Sequence, residues 1–154
     1  MRRGGFTLIE LIFVIVIVGI LAAVAIPKFK HLKENAYTTT IVQAITDLNG
    51  SGGASAYLNA RELNDLNESD INITDLYKFQ GKDWSLDGND TAVFRKDNSE
   101  LNATFAYDNN GSVHVTIYCD GSNAGQAYQA ALVRRDYNCS PSGKEYNISL
   151  ETQE

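Results

Sequence analysis

Apolar positions dominate the start of the chain almost without interruption and then give way to two different periodicities. Residues 6–26 form a run of 21 in which Glu10 is the single charge. A helix of about 20 residues crosses a bilayer, so this run predicts a membrane-length helix. Past Pro27 the spacing changes. Phe29, Leu32, Ala36, Ile41, Ala44, Ile45 and Leu48 recur at helical spacing, which predicts an amphipathic continuation of the helix. "NGSGGAS" (49–55) predicts its end, and residues 56–66 a second helical piece.

Strand signals follow. "LNATFAY" (101–107) places Leu101, Ala103, Phe105 and Tyr107 on one face. "SVHVTIYC" (112–119) alternates Val113, Val115 and Ile117 against His114, Thr116 and Tyr118. "DNNG" (108–111) between them is a hairpin turn. "TAVFRK" and "YNISL" are further strands, and "NAGQAYQAALVRR" (123–135) predicts a short amphipathic helix inserted after the hairpin.

A length of 154 residues bounds the chain to one compact domain beyond its N-terminal segment. Charge divides the same way. Residues 1–34 carry five basic and two acidic groups, a net +3, and residues 35–154 carry eight and seventeen, a net −9. An acidic domain repels duplex nucleic acid, so general nucleic-acid binding is disfavoured; a local patch at Arg134 and Arg135 stays open. No Gly-rich phosphate loop, zinc motif or nucleophile elbow occurs, and His31 and His114 stand alone. The expectation is a protein without catalytic residues or a metal centre, and not an enzyme.

Glu10 needs an explanation, because a charge near the bilayer centre costs about 2.5–3.5 kcal/mol. A secretory signal peptide has a shorter apolar region, although Ala23 and Ala25 offer a cleavage pattern. An ordinary single-span anchor fits the length and leaves Glu10 unexplained. "RRGGFTLIEL", followed by a long Ile/Val run and Pro27, resembles the processing site of the type IV filament superfamily, the type IV pilins and the pseudopilins of type II secretion. The resemblance is specific over residues 2–27 and essentially absent afterwards.

That resemblance implies that a prepilin peptidase cuts after Gly5 and that Phe6 becomes the N-methylated N-terminus. Glu10 then lies one turn from a new amino terminus, where the helix dipole favours a carboxylate. In the family this glutamate pairs with the N-terminal amine of a neighbouring subunit, which turns an isolated charge into a paired one. The alternative is that Glu10 caps its own helix. Gly19 and Pro27 are candidates for helix melting during assembly, or else mark a mild kink tolerated in lipid. Arg2 and Arg3 favour a cytoplasmic N-terminus, while Lys28, Lys30 and Lys33 pull the other way. The expected fold is α+β, a long N-terminal helix packed on a small antiparallel C-terminal sheet.

Two cysteines in an exported domain most often pair, so Cys119 and Cys139 are expected to form a disulfide, as many pilins have near the C-terminus. No cofactor is expected. "DWSLDGND" (83–90) is a candidate calcium ligand set, since some pseudopilins bind calcium, against the commoner reading of an Asp-rich turn.

A second pattern is independent of the first. Asn-x-Ser/Thr occurs at Asn49, Asn67, Asn72, Asn89, Asn102, Asn110, Asn138 and Asn147. About two such triplets are expected by chance. Every one of the eight has Asp or Glu two residues before the Asn. With acids at about one residue in seven, that register arises about once in several million trials. It resembles the extended acceptor sequence of the bacterial periplasmic oligosaccharyltransferase. Asn67, Asn72, Asn89 and Asn110 fall in predicted loops. Asn102 and Asn147 fall on the polar face of strands, and Asn138 abuts Cys139, where disulfide closure competes with modification.

The sequence thus leads to a leader (1–5), a transmembrane or filament-core helix (6–27) and a periplasmic or extracellular domain (28–154). The expected function is a filament subunit of the type IV pilus kind. Its expected partners are copies of itself or related pilins, prepilin peptidase, an inner-membrane assembly platform, oligosaccharyltransferase and membrane lipid. It would wait in the inner membrane as a single-pass protein before assembly and stand in a surface filament or periplasmic pseudopilus after it. A pseudopilin of type II secretion or DNA uptake, and a membrane-tethered periplasmic enzyme or binding module, are the alternatives.

Overall fold

The computed structural model describes residues 5–29 and 31–151. The chain divides into two units, Met1–Lys33 and Glu34–Glu154, each taken by itself. The first is built on helix α1, Leu8–Phe29. From Leu8 to Ile26 its mean hydropathy is 3.1 and none of it is buried by the chain. A helix apolar on all sides has no polar face to give to water, and its length and composition are those of a helix that could cross a membrane. Pro27 lies inside α1, near its end, where the helix continues through the single missing backbone donor.

Helix α2, Leu32–Asn49, supplies the core face of the second unit through Thr38, Ile41, Ala44, Ile45 and Leu48. This corrects the expected stripe. Ala36 is exposed, as are Phe29 and Leu32. At 100° per residue Ala36 falls some 140° from Ile41, whereas Thr38, Ile41, Ala44, Ile45 and Leu48 are spaced by three or four. Thr38 is tolerated at zero exposure because its hydroxyl donates to Glu34 O at 2.8 Å.

The predicted break is a single residue, Gly50, in extended conformation (φ −92°, ψ −169°). Helix α3, Ser51–Leu58, then runs into a π-helical turn, Asn59–Leu63, so the second helical piece starts earlier than residue 56. Gly53 makes this junction feasible: a Cβ there would overlap the Leu48 carbonyl. A short helix α4, Ile73–Leu76, precedes the sheet.

Five strands, β1 (Trp84–Leu86), β2 (Thr91–Lys96), β3 (Leu101–Tyr107), β4 (Ser112–Cys119) and β5 (Lys144–Ser149), form one antiparallel sheet in chain order. Leu101, Ala103, Phe105 and Tyr107 face the core, as the alternation predicted, with Val113, Val115 and Ile117 on the same side. Strand β1 was not anticipated. Its three residues are half-buried or exposed, and no alternation develops over so short a stretch.

Helix α5, Asn123–Val133, interrupts the passage from β4 to β5 and lies against α2. Tyr128 packs against Tyr37 with the rings tilted by 52° and 6.5 Å apart, and Arg135 donates to the Thr39 hydroxyl at 2.6 Å and to Thr38 at 3.3 Å. An aromatic cluster of Phe79, Trp84, Phe94 and Phe105, with ring centroids 4.7–5.5 Å apart, fills the β1 end of the core.

Candidate functional site

Gly5, Phe6 and Thr7 lie ahead of the first helical turn, and the Phe6 side chain is 91% exposed. Residues 1–4 of the expected leader lie outside the described residues. Thr7 and Glu10 form a reciprocal cap. The Thr7 hydroxyl and N–H donate to Glu10 Oε2 at 2.7 and 2.8 Å, and Glu10 N–H lies 3.4 Å from Thr7 Oγ1. "TLIE" is the Thr-x-x-Glu pattern of such caps, a signal for Thr7 that the reading of the sequence passed over. Both bonds to the carboxylate fall on one oxygen. Along α1, Gly19 would admit a Cβ without contact within 4 Å, so neither a close approach within the chain nor a positive φ requires glycine there.

Cys119, at the end of β4, is bonded to Cys139, with Cα atoms 5.4 Å apart and a sequence separation of 20. Both are buried. The bond ties the segment after α5 to the central part of the sheet, and Ser140 runs briefly parallel to Tyr118 beside it.

The eight asparagines occupy unlike settings. Asn49 is exposed at the last position of α2, and Asn67 is exposed ahead of a short 3₁₀ turn, its Nδ2 donating to Asp70 at 3.0 Å. Asn72 is half-buried at the start of α4, where its N–H donates to Asp75 at 2.9 Å. Asn89 is exposed in the β1–β2 turn, and Asn110 is exposed in the β3–β4 turn. There Asp108, the acid two residues before Asn110, accepts from the N–H groups of Asn110 and Ser112, both at 2.9 Å. Asn147 is exposed on β5, as its place on the polar face predicted. Asn102, expected to point outward in the same way, is only half-exposed, and its Oδ1 is enclosed without a hydrogen-bond partner. Central strands crowd both sides of it.

Beneath two of these turns lies a polar network the sequence did not reveal. Arg61 contacts Glu68 at 2.7 Å, and Tyr57 donates to Glu68 at 3.2 Å while accepting from Arg61 at 3.3 Å. Burial is the main cause that pushes the Tyr57 phenol above its ordinary range, and hydrogen bonding to that phenol raises Arg61 further. Burial pushes Tyr107 up to about 12. The Gly111 backbone pulls the other way but does not meet the hydroxyl in hydrogen-bonding geometry. A polar concavity of about 570 Å³ opens between Arg61, Asp65, Asn67, Glu68 and Asn109, so the turns carrying Asn67 and Asn110 lie side by side.

The Asp-rich stretch at 83–90 builds a hairpin. Asp83 holds Lys96 at 3.2 Å, Asp87 N–H donates to Thr91 O at 2.9 Å, and Gly88 takes the positive φ of 74° that the turn requires. Tyr37 and then Asp83 raise the Lys96 pKa. Among the described residues no three His, Cys, Asp or Glu side chains gather as a metal site would need. His114 faces Asp108 at 3.5 Å on the surface.

Comparison with known proteins places the apolar helix and its cap in a class. Residues 1–26 match the prokaryotic N-terminal methylation motif. The type IV narrow pilus major component PilA5 of Thermus thermophilus is 49% identical over 57 residues, covering 37% of this chain and 45% of the relative. A fimbrial protein of Pseudomonas aeruginosa is 39% identical over 61 residues, covering 40% of this chain and 39% of that protein. Fimbrial protein Q of Moraxella bovis is 53% identical over 40 residues, or 26% of each chain. The chain spans less than half the length of the curated relatives it matches. No solved structure matches it. Over its N-terminal part the chain is thus similar to type IV pilins, in the methylation motif and in these relatives.

Proposed function

We propose that the protein is a structural subunit of a type IV pilus-like filament. It enters the inner membrane through α1, is cleaved after Gly5, is N-methylated on Phe6 and polymerises through α1. The observation that carries this reading is α1 itself: a membrane-length helix, unburied by its own chain, lies from Leu8 to Ile26 within the match to the methylation motif. Glu10 takes two roles in turn. Within its own chain it caps α1 through Oε2, and in assembly it pairs with the methylated amine of a neighbouring subunit. Gly19 and Pro27 supply the weak helical stretch that lets packed helices adjust. The second unit, stiffened by its sheet and disulfide, forms the exterior and bears N-linked glycans at the acid-preceded asparagines. Asn49, Asn67, Asn89, Asn110, Asn138 and Asn147 are exposed, which supports the glycosylation reading.

Intact-mass spectrometry of the protein in material sheared from its native host tests the whole scheme. The expected mass lacks residues 1–5 and carries one added methyl and several equal glycan increments. Absence from the shear with retention in membranes would reject the filament role. A mature mass without glycan increments would reject glycosylation alone.

A further inference from the structure

The eight acceptor asparagines differ most in how their main chain is held. Asn102 lies within β3, with Arg95 of β2 opposite it on one side and Tyr118 of β4 on the other. Its acceptor stretch runs from Glu100 to Thr104. Glu100 O accepts from Asp120 N–H at 3.2 Å, Ala103 has zero exposure, and Thr104 pairs with both Val93 and Thr116. Asn138 is exposed, but its main chain and Oδ1 are pinned. Its N–H donates to the Tyr146 hydroxyl at 2.6 Å, and its Oδ1 accepts from Cys139 N–H at 2.8 Å and Gln129 at 3.1 Å. The next residue, Cys139, is 1% exposed and covalently joined to Cys119. Cys119 in turn pairs with Leu101, the neighbour of Asn102. The disulfide therefore joins the residue after Asn138 to the strand position opposite Leu101.

Other acceptors are less enclosed, with no strand on both sides of the asparagine, although the Asn110 turn is closed by Asp108 N–H donating to Ser112 O at 3.0 Å. Asn110 and Asn67 lie in exposed turns. Asn147 lies on β5, the edge of the sheet. Leu150 N–H donates to Gly111 O at 2.8 Å, and Asn147 pairs with His114. Hydrogen bonding alternates along an antiparallel strand, so Asn147 turns its own N–H and C=O to the open edge.

We infer, resting on the glycosylation reading above, that Asn102 and Asn138 are acceptors only before the domain folds and oxidises. Asn67, Asn110 and Asn147 remain acceptors after folding. In the transfer, Asn Nδ2 bonds to the anomeric carbon of a polyprenyl-diphosphate-linked oligosaccharide. The carbon–oxygen bond to the diphosphate breaks, the diphosphate leaves with the electron pair, and Nδ2 gives up one proton. The acceptor chain has to leave its own partners to enter the enzyme's cleft. A central strand opens with roughly the global equilibrium, in fewer than about one molecule in a thousand, whereas exposed turns and edge strands open locally at lower cost. Folding and closure of Cys119–Cys139 thus act as a clock that ends modification at two sites and leaves it running at the others.

The test uses full-length chain in detergent with a bacterial oligosaccharyltransferase and its lipid-linked oligosaccharide, read site by site as glycopeptides. The folded, oxidised chain is compared with Val115→Asp, a core position outside every acceptor triplet, verified as unfolded by proteolysis. In the folded chain Asn102 and Asn138 are expected to react at least about a hundredfold more slowly than Asn110. In the Val115→Asp chain the three rates converge to within about tenfold. Reaction of Asn102 or Asn138 in the folded chain at a rate like that of Asn110 overturns the inference for that site. Failure of every site in the unfolded chain as well overturns the glycosylation reading itself.

Discussion

The Thr7 hydroxyl donates to the Glu10 carboxylate at 2.7 Å, so the residue that precedes α1 and the single charge of the apolar run 6–26 hold each other. This relationship separates two roles for Glu10. Thr7→Val removes the hydroxyl but keeps the N–H bond to Oε2, whereas Glu10→Ala removes the carboxylate and with it the acceptor of both bonds. If the carboxylate serves assembly, Glu10→Ala abolishes sheared filaments while Thr7→Val lowers their yield modestly at most. Immunoblots of shear and membrane fractions read the difference. Equal losses in the two variants would reduce Glu10 to a helix cap.

Gly53 is the second position where one atom decides. Gly53→Ala drives a Cβ into the Leu48 carbonyl, so the α2–α3 junction has to move. The expected cost is about 1–3 kcal/mol, the range for overpacking a tight contact. Gly52→Ala, whose Cβ meets only Asp47 O at 3.1 Å, is the milder comparison. Urea unfolding of both variants checks the order, and equal stability would show that the junction yields freely.

Tyr107 carries a pH dependence. Its hydroxyl is buried without a hydrogen bond, and the phenol is pushed up to about 12 from an ordinary value near 10. The folded state therefore holds the proton more tightly than the unfolded state. That contribution is fully present below pH 10 and disappears as pH rises through about 12; in all it is on the order of 3 kcal/mol. Tyr107→Phe removes this component of alkaline unfolding. Because it also removes an unsatisfied buried oxygen, it is expected to leave neutral-pH stability unchanged or slightly higher. Part of the alkaline loss persists in the variant, since burial also raises Tyr57 and Tyr77. Denaturation curves at pH 7 and across pH 9.5–12 measure both effects.

The disulfide gives a direct stability prediction. Replacing Cys119 and Cys139 together by Ser opens a loop with a separation of 20 residues. The chain-entropy relation puts the loss at about 3 kcal/mol. Chemical denaturation of the variant against the oxidised protein measures it. A loss well below 1 kcal/mol would mean that α5 and its contacts to α2 already fix this segment.

Local patterns carried much of this molecule. The apolar run, the methylation motif around Gly5 and Phe6, the alternation in β3 and β4 and the turn at 108–111 are each written within a few consecutive residues. Each follows from chemistry that needs no distant partner: an apolar run of membrane length, a local sequence motif, a two-residue period and the backbone freedom of Asn109 and Gly111 at positive φ. The register of acid and asparagine is likewise a sequence fact. Tertiary structure decided what local pattern leaves degenerate. Thr38 rather than Ala36 faces the core because α2 rotates to meet the sheet and Arg135, a residue 97 positions away. Strand β1 exists because β2 offers it an edge, and Gly53 matters because Leu48 lies against it. Asn102 and Asn147 have the same sequence signature and the same predicted face, yet one lies between two strands and the other on an open edge. Period-two alternation fixes which way a side chain points, while neighbour strands fix what its backbone is bound to, and only the folded sheet supplies the neighbours.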